Sequence, residues 1–126
     1  MGNRPATVLI VDDEAAVRRL VARSLVSVGF SVKEADNGLS ALRLLEAADA
    51  VHLVISDIHM PAMDGLALAR ELRLLRPFLP ILFITGREPP GITGEVLHKP
   101  FGPEALLVAV SKVLGRAGDP SGSRPN

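Results

Sequence analysis

Four short apolar runs do most to limit how this chain can fold. Thr7-Val8-Leu9-Ile10-Val11, Leu53-Val54-Ile55-Ser56, Ile81-Leu82-Phe83-Ile84 and Val96-Leu97-His98 are rich in β-branched residues and do not alternate with polar ones. A strand that is apolar at successive positions has both faces covered, as in a parallel sheet with helices on either side. A fifth segment, Ser31-Val32-Lys33-Glu34-Ala35, does alternate and reads as a half-exposed edge strand. Helical periods lie between the runs. Val17, Leu20, Val21, Leu25 and Val28 recur at spacings of three and four before Gly29, and Leu39, Leu42 and Leu45 follow Asn37-Gly38. Leu66, Ala69, Leu72 and Leu75 are bracketed by Asp64-Gly65 and Pro77. Leu106, Leu107, Val110, Val113 and Leu114 run from Pro103 to an expected exit at Gly115. Strands alternating with helices predict an α/β doubly wound, five-stranded parallel sheet.

One crossover breaks the pattern. Gly86 to Glu95 holds three Gly and two adjacent Pro. In a helix interior these cost about 1 and about 3 kcal/mol each relative to Ala. A Pro/Gly-rich loop is therefore expected in place of a fourth helix. Arg116 to Asn126 is aperiodic and Gly-, Pro- and Ser-rich, so residues 6–115 are expected to form one domain and 116–126 a disordered tail. With 126 residues, 48% of them hydrophobic, the chain can bury a real core.

Composition removes several kinds of chemistry. Fourteen basic residues balance 14 acidic ones, so the electrostatic footprint of a nucleic-acid binder is missing. Zero Cys excludes disulfides, thiolate metal sites and thiol nucleophiles. Without Trp or Tyr, and with four Phe, the chain lacks stacking platforms for flavins or single-stranded bases. No apolar run approaches the ~20 residues of a membrane span, and the start of the chain does not read as a signal peptide, so a cytoplasmic domain is expected.

The polar residues that end the strands carry the chemistry. In an open doubly wound sheet, ligands bind outside the carboxyl ends of the strands where the strand order reverses. Asp12-Asp13, Asp57, Thr85 and Lys99 all arrive on that rim. One Asp of the first pair suits a helix N-cap, but a second has no such use. Three converging carboxylates need a compensating cation, and an oxygen-only ligand set points to a hard divalent ion, with Mg²⁺ the first choice. Lys99 adds a positive charge and Thr85 a hydroxyl donor. Together these supply the neutralisation, donors and positioning that a phosphoryl group needs, with a central carboxylate available as nucleophile.

With these residues in place, the chain resembles the receiver domains of bacterial two-component response regulators, which share the fold of the chemotaxis receiver. The resemblance runs from about Thr7 to Leu114. Its carriers are Val11-Asp12-Asp13-Glu14, Asp57-Ile58-His59-Met60-Pro61-Ala62-Met63-Asp64-Gly65, Ile84-Thr85-Gly86 and Lys99-Pro100-Phe101. It implies a flavodoxin-like sheet with strand order 2-1-3-4-5. It implies that Asp57 takes a phosphoryl group from a histidine kinase or phosphotransfer protein. Mg²⁺ would be held by Asp13, Asp57, the His59 carbonyl and, through water, Asp12. Lys99 would contact a phosphoryl oxygen through a chain made cis at Pro100, and Thr85 would close on the phosphate beside the Gly86 amide. Val96 stands where receivers usually carry Tyr or Phe. Pro80 to Gly86 with the loop after it is similar to a subfamily with a Phe-Ala-Thr-Gly motif and a degenerate fourth helix, Ile84 replacing the Ala.

The expected function is that of a signalling phosphoacceptor, not a separate enzyme, acting through contacts with an unidentified downstream protein as a monomer or weak dimer. The alternative is an interaction module that works without phosphate. A phosphatase with an aspartyl nucleophile would need a second acid two residues on, where His59 stands. His59 and Arg87 are instead candidates for tuning the lifetime of the phosphoryl group. His52 and His98 read as strand flanks and Phe101 as packing. Arg18, Arg19, Arg23, Arg43 and Arg70 read as solvated helix faces, the first two within reach of a kinase partner.

Overall fold

The computed structural model describes residues 5–47, 50–87 and 95–117, with side chains described as far as Gly115. The chain runs β1 (Thr7–Val11), α1 (Ala15–Ser27), β2 (Ser31–Ala35), α2 (Gly38–Ala47), β3 (Leu53–Asp57), α3 (Gly65–Leu75), β4 (Ile81–Thr85), β5 (Val96–His98) and α4 (Pro103–Ala117). All strand pairs are parallel and the sheet order is β2-β1-β3-β4-β5. The order reverses between β1 and β3, so their carboxyl ends flank the crevice of this flavodoxin-like fold.

Three of the four unalternating runs, β1, β3 and β4, are explained by two covered faces; β5 differs from the expectation, being the second edge strand and buried at no position. Val8, Ile10, Leu53, Ile55, Leu82 and Ile84 pack against α1 and α4. Their strand neighbours Leu9, Val11 and Val54 pack against α2 and α3. Phe83 lies with Ile58 and Ala69 beneath α3, with the partly buried Val96 against it. The edge strand β2 buries only Ala35 fully, as its alternating sequence requires.

Helix ends follow their local chemistry. Asp64 caps α3, its side chain accepting from the Ala67 N–H at 2.8 Å, and Asn37 Oδ1 accepts from the Ser40 N–H at 2.8 Å to open α2. Gly29, with φ of 101°, closes α1: its N–H reaches the Val26 carbonyl and that of Phe30 reaches the Leu25 carbonyl.

Two further expectations differ. Leu39 and Leu75, placed on apolar stripes, are 54% and 49% exposed, and the inward faces are Gly38, Ala41 and Leu45 in α2 and Leu68, Ala69 and Leu72 in α3. Gly115 does not end the last helix. It takes no positive φ, and α4 continues to Ala117, past the expected start of the tail at Arg116. Among the described residues no helix separates β4 from β5; the expected loop falls mainly on 88–94, and the rest of the tail on 118–126, both outside the described residues.

Candidate functional site

The rim is built from four strand ends. β1 stops at Val11, and the Asp12 N–H still bonds the Ala35 carbonyl of β2 at 3.2 Å. The Asp12 side chain turns back, Oδ1 accepting from the Glu14 N–H at 2.8 Å, and Asp12 is fully buried while Asp13 is exposed. Asp57 ends β3 with 4% exposure, and its Oδ1 accepts from the His59 N–H at 3.1 Å. Ligand oxygens of Asp12, Asp13 and Asp57 all lie within 4.8 Å of one another.

Lys99 follows β5 directly, its N–H bonded to the Thr85 carbonyl at 2.7 Å. Its Nζ lies 3.1 Å from Asp57 Oδ2, 3.3 Å from Asp12 Oδ2 and 2.9 Å from Glu14 Oε1. The Lys99–Pro100 peptide is cis. Burial alone would lower the lysine pKa, but the hydrogen bonds to Glu14 and Asp57 and the charges of Asp12 and Asp57 outweigh it and hold it above the ordinary lysine range. Burial raises the Asp12 pKa and the Asp57 charge adds to this, against the Glu14 amide and Lys99, which lower it. Asp12 Oδ2 pairs with Lys99 by distance only. It has no hydrogen bond, although it is buried. A buried oxygen without a hydrogen bond, in an all-oxygen donor set, is suited to a hard divalent cation.

The remaining expected residues are close by. The buried Thr85 hydroxyl donates to the Arg87 carbonyl and accepts from the Arg87 N–H, both at 3.0 Å, so it faces its own loop. Gly86 sits beside Lys99, whose Cβ would be 3.9 Å from a Cβ placed there. His59 is exposed, and its tie to the site is its backbone. Asp36 stays outside the acidic cluster and accepts from Asn37 Nδ2. Two residues were undervalued from sequence. Glu14, adjacent to the acidic pair, holds Lys99. Arg18 is no solvated helix residue: its Nη1 donates to the Asp12 carbonyl at 2.7 Å and its Nε to Glu34 at 3.2 Å. Its signal was position, three and seven residues before the buried Val21 and Leu25.

The larger clefts lie elsewhere. One of about 510 Å³ opens between Val51, Phe78 and Leu114, and one of about 630 Å³ between β5 and α4. Beside the acidic rim the groove is about 320 Å³, with Asp13, Asn37, Pro61 and Met63 among its walls. Of the acidic cluster only Asp13 lines that groove.

Residues 8–111 match the family model described as the response regulator receiver domain. The chain belongs to the response regulator receiver family. The receiver is 39% identical over 120 residues to the response regulator MprA of Mycolicibacterium vanbaalenii, covering 89% of this chain and 52% of that protein. It is 38% identical over 118 residues to the sensor kinase CckA of Brucella abortus, covering 86% of this chain and 12% of that one. The receiver therefore spans about half the length of the first and an eighth of the second. Among solved structures, the chemotaxis protein CheY4 of Vibrio cholerae superposes with a TM-score of 0.81 at 36% identity, over 87% of this chain and 99% of that one.

Proposed function

We propose that this receiver accepts a phosphoryl group on Asp57 from the phosphohistidine of a histidine kinase or phosphotransfer protein, and signals by a change in its protein contacts. The observation that carries this is the Asp57 carboxylate, buried at the end of the central β3 yet 3.1 Å from Lys99 Nζ and grouped with Asp12 and Asp13. A carboxylate oxygen of Asp57 bonds to phosphorus as the phosphorus–nitrogen bond of the donor breaks. The electron pair stays on the imidazole nitrogen, which then takes up a proton. Asp13, Asp57 and the His59 carbonyl would hold Mg²⁺ directly and Asp12 through water. Bound there, the ion would supply positive charge to the phosphoryl oxygens.

Lys99 stays protonated at neutral pH and holds one phosphoryl oxygen. Thr85 gains a partner only in the phosphorylated state. To donate to it, the hydroxyl must give up its bond to the Arg87 carbonyl, and the Gly86 amide is the second donor on that side. The side chains of His59 and Arg87 border the path of an attacking water and set how long the phosphoryl group persists. Signalling of this kind is placed in the cytoplasm, with the chain a monomer or weak dimer, no nucleic acid bound and an unidentified protein as target. A phosphate-independent module would leave the grouped carboxylates, two of them buried, without a use, so it is the weaker alternative.

The test is intact-mass spectrometry after incubation with acetyl phosphate, with and without Mg²⁺, because a chain with no Trp rules out the usual fluorescence quenching. One Mg²⁺-dependent phosphoryl adduct is expected, absent in Asp57→Asn, with a decay rate that His59→Asn changes. An adduct of equal yield in Asp57→Asn would sink the assignment.

A further inference from the structure

Arg18 is one of three arginines on α1 that the phosphoryl chemistry above leaves unused, and it is the one tied to the acidic rim. Its guanidinium is one planar fork with two fixed targets, the Asp12 carbonyl at 2.7 Å and Glu34 Oε1 at 3.2 Å, and its side chain is only 20% exposed. The Asp12 carbonyl belongs to the peptide unit whose other half is the Asp13 N–H, so holding that oxygen fixes the plane from which Asp13 leaves the chain. The neighbouring groups are tied as well. The Asp12 N–H bonds the Ala35 carbonyl, Asp12 Oδ1 takes the Glu14 N–H, and the Glu14 carbonyl takes the Arg18 N–H at 3.1 Å. The Asp13 carboxylate, by contrast, is exposed and has no hydrogen bond or ion pair among the described residues. Its aim is inherited from its backbone.

We propose that Arg18 is a positioning residue of the acidic rim, clamping the Asp12–Asp13 peptide against β2 so that the Asp13 carboxylate is presented to the divalent ion. This rests on reading the rim as an Mg²⁺ site. Charge and geometry make opposite predictions here. Removing a cation beside Asp12 makes the rim more negative, so by Coulomb attraction alone Mg²⁺ would bind more tightly. Losing the clamp frees the peptide plane and weakens binding, as losing the support of a metal ligand does.

The experiment follows Mg²⁺ titrations of the whole chain by amide NMR shifts, alongside thermal melts, for wild type, Asp13→Asn, Arg18→Met, Arg18→Lys and Glu34→Gln. Arg18→Met is expected to weaken Mg²⁺ binding about tenfold. Arg18→Lys should recover part of the loss, because an ammonium lacks the two-pronged fork that reaches both acceptors. Glu34→Gln should weaken binding less than Arg18→Met. Mg²⁺ binding in Arg18→Met as tight as wild type, or tighter, overturns the proposal, and a lowered melting temperature with unchanged affinity does so too by making Arg18 a mere brace. If Arg18→Met does not melt cooperatively, the Arg18→Lys and Glu34→Gln titrations decide: wild-type affinity in both overturns the proposal. Saturable binding in wild type that Asp13→Asn abolishes keeps the ion site intact whatever Arg18 does. Its absence in wild type would instead bring down the ion site and this inference with it.

Discussion

At Asp12 the needs of the fold and of the site pull in opposite directions. The residue is fully buried, one of its oxygens has no hydrogen bond, and burial, aided by the Asp57 charge, outweighs the Glu14 amide and Lys99 in setting its proton affinity. A folded-state pKa above the ordinary 3.8 means that the native chain binds this proton more tightly than the unfolded chain. Stability therefore falls as pH rises from about 3.8 through the raised value. Asp12→Asn removes the charge and leaves Lys99 with Glu14 and Asp57. It is expected to stabilise the ion-free chain by about 1 kcal/mol at pH 7 while weakening Mg²⁺ binding, a trade of function for stability. Melts of both proteins at pH 4 and pH 7 check this, and a variant that gains nothing on going to pH 7 would refute it. Lys99 has the opposite sign. Its folded pKa is raised, so its contribution is intact at neutral pH and is lost only above the ordinary 10.5, which leaves it no part in a switch near pH 7.

Between β3 and α3 the packing of elements sets the limits. Gly65 opens α3 where the helix passes directly over the strand end, and a Cβ there would run into the Asp57 carbonyl and lie 2.9 Å from Ile58 Cα. Because the obstacles are backbone atoms, no side chain can yield. Gly65→Ala is expected to cost about 2 kcal/mol by overpacking and to slow phosphorylation by shifting Asp57. Denaturant melts alongside the acetyl phosphate assay would detect both, and wild-type behaviour in both would count against this close approach. Small residues of this kind are also where sequence was least informative. The strands were legible because burial on both faces leaves an unbroken apolar run. The rim was legible because four of the five strands, β1, β3, β4 and β5, end at or directly before one of its polar residues. In α2, however, the inward face begins with Gly38, where a Cβ would lie 2.7 Å from Met63 Sδ, and continues with Ala41. A periodicity that weights Leu above Gly and Ala picks the wrong side, and so Leu39 was misplaced. Arg18 was misjudged for the converse reason: a charge on the flank of an apolar stripe looks solvated until the carbonyl it serves is known.

Across the whole molecule, the acidic rim is a local deficit that the sheet and its two helical layers must offset. Mutual repulsion of Asp12, Asp13 and Asp57, eased among the described residues by Lys99, is tolerable because two apolar clusters on opposite faces hold the strands that deliver them. A ligand that neutralises the rim binds the folded chain and finds no such site in the unfolded one, so it must stabilise the fold as a whole. At a concentration ten times its dissociation constant the gain is about 1.4 kcal/mol. For a domain of this size that raises the melting temperature by roughly 6 °C. MgCl₂ is therefore expected to raise the melting temperature in a saturable way that chelator reverses, and matched NaCl should not reproduce it. Asp13→Asn should abolish most of the rise. Asp12→Asn should start from a higher baseline and gain less, since part of the deficit has already been removed. An equal rise in wild type and Asp13→Asn would mean that Mg²⁺ acts by general screening, and the rim would then have no claim to be a built site for the ion.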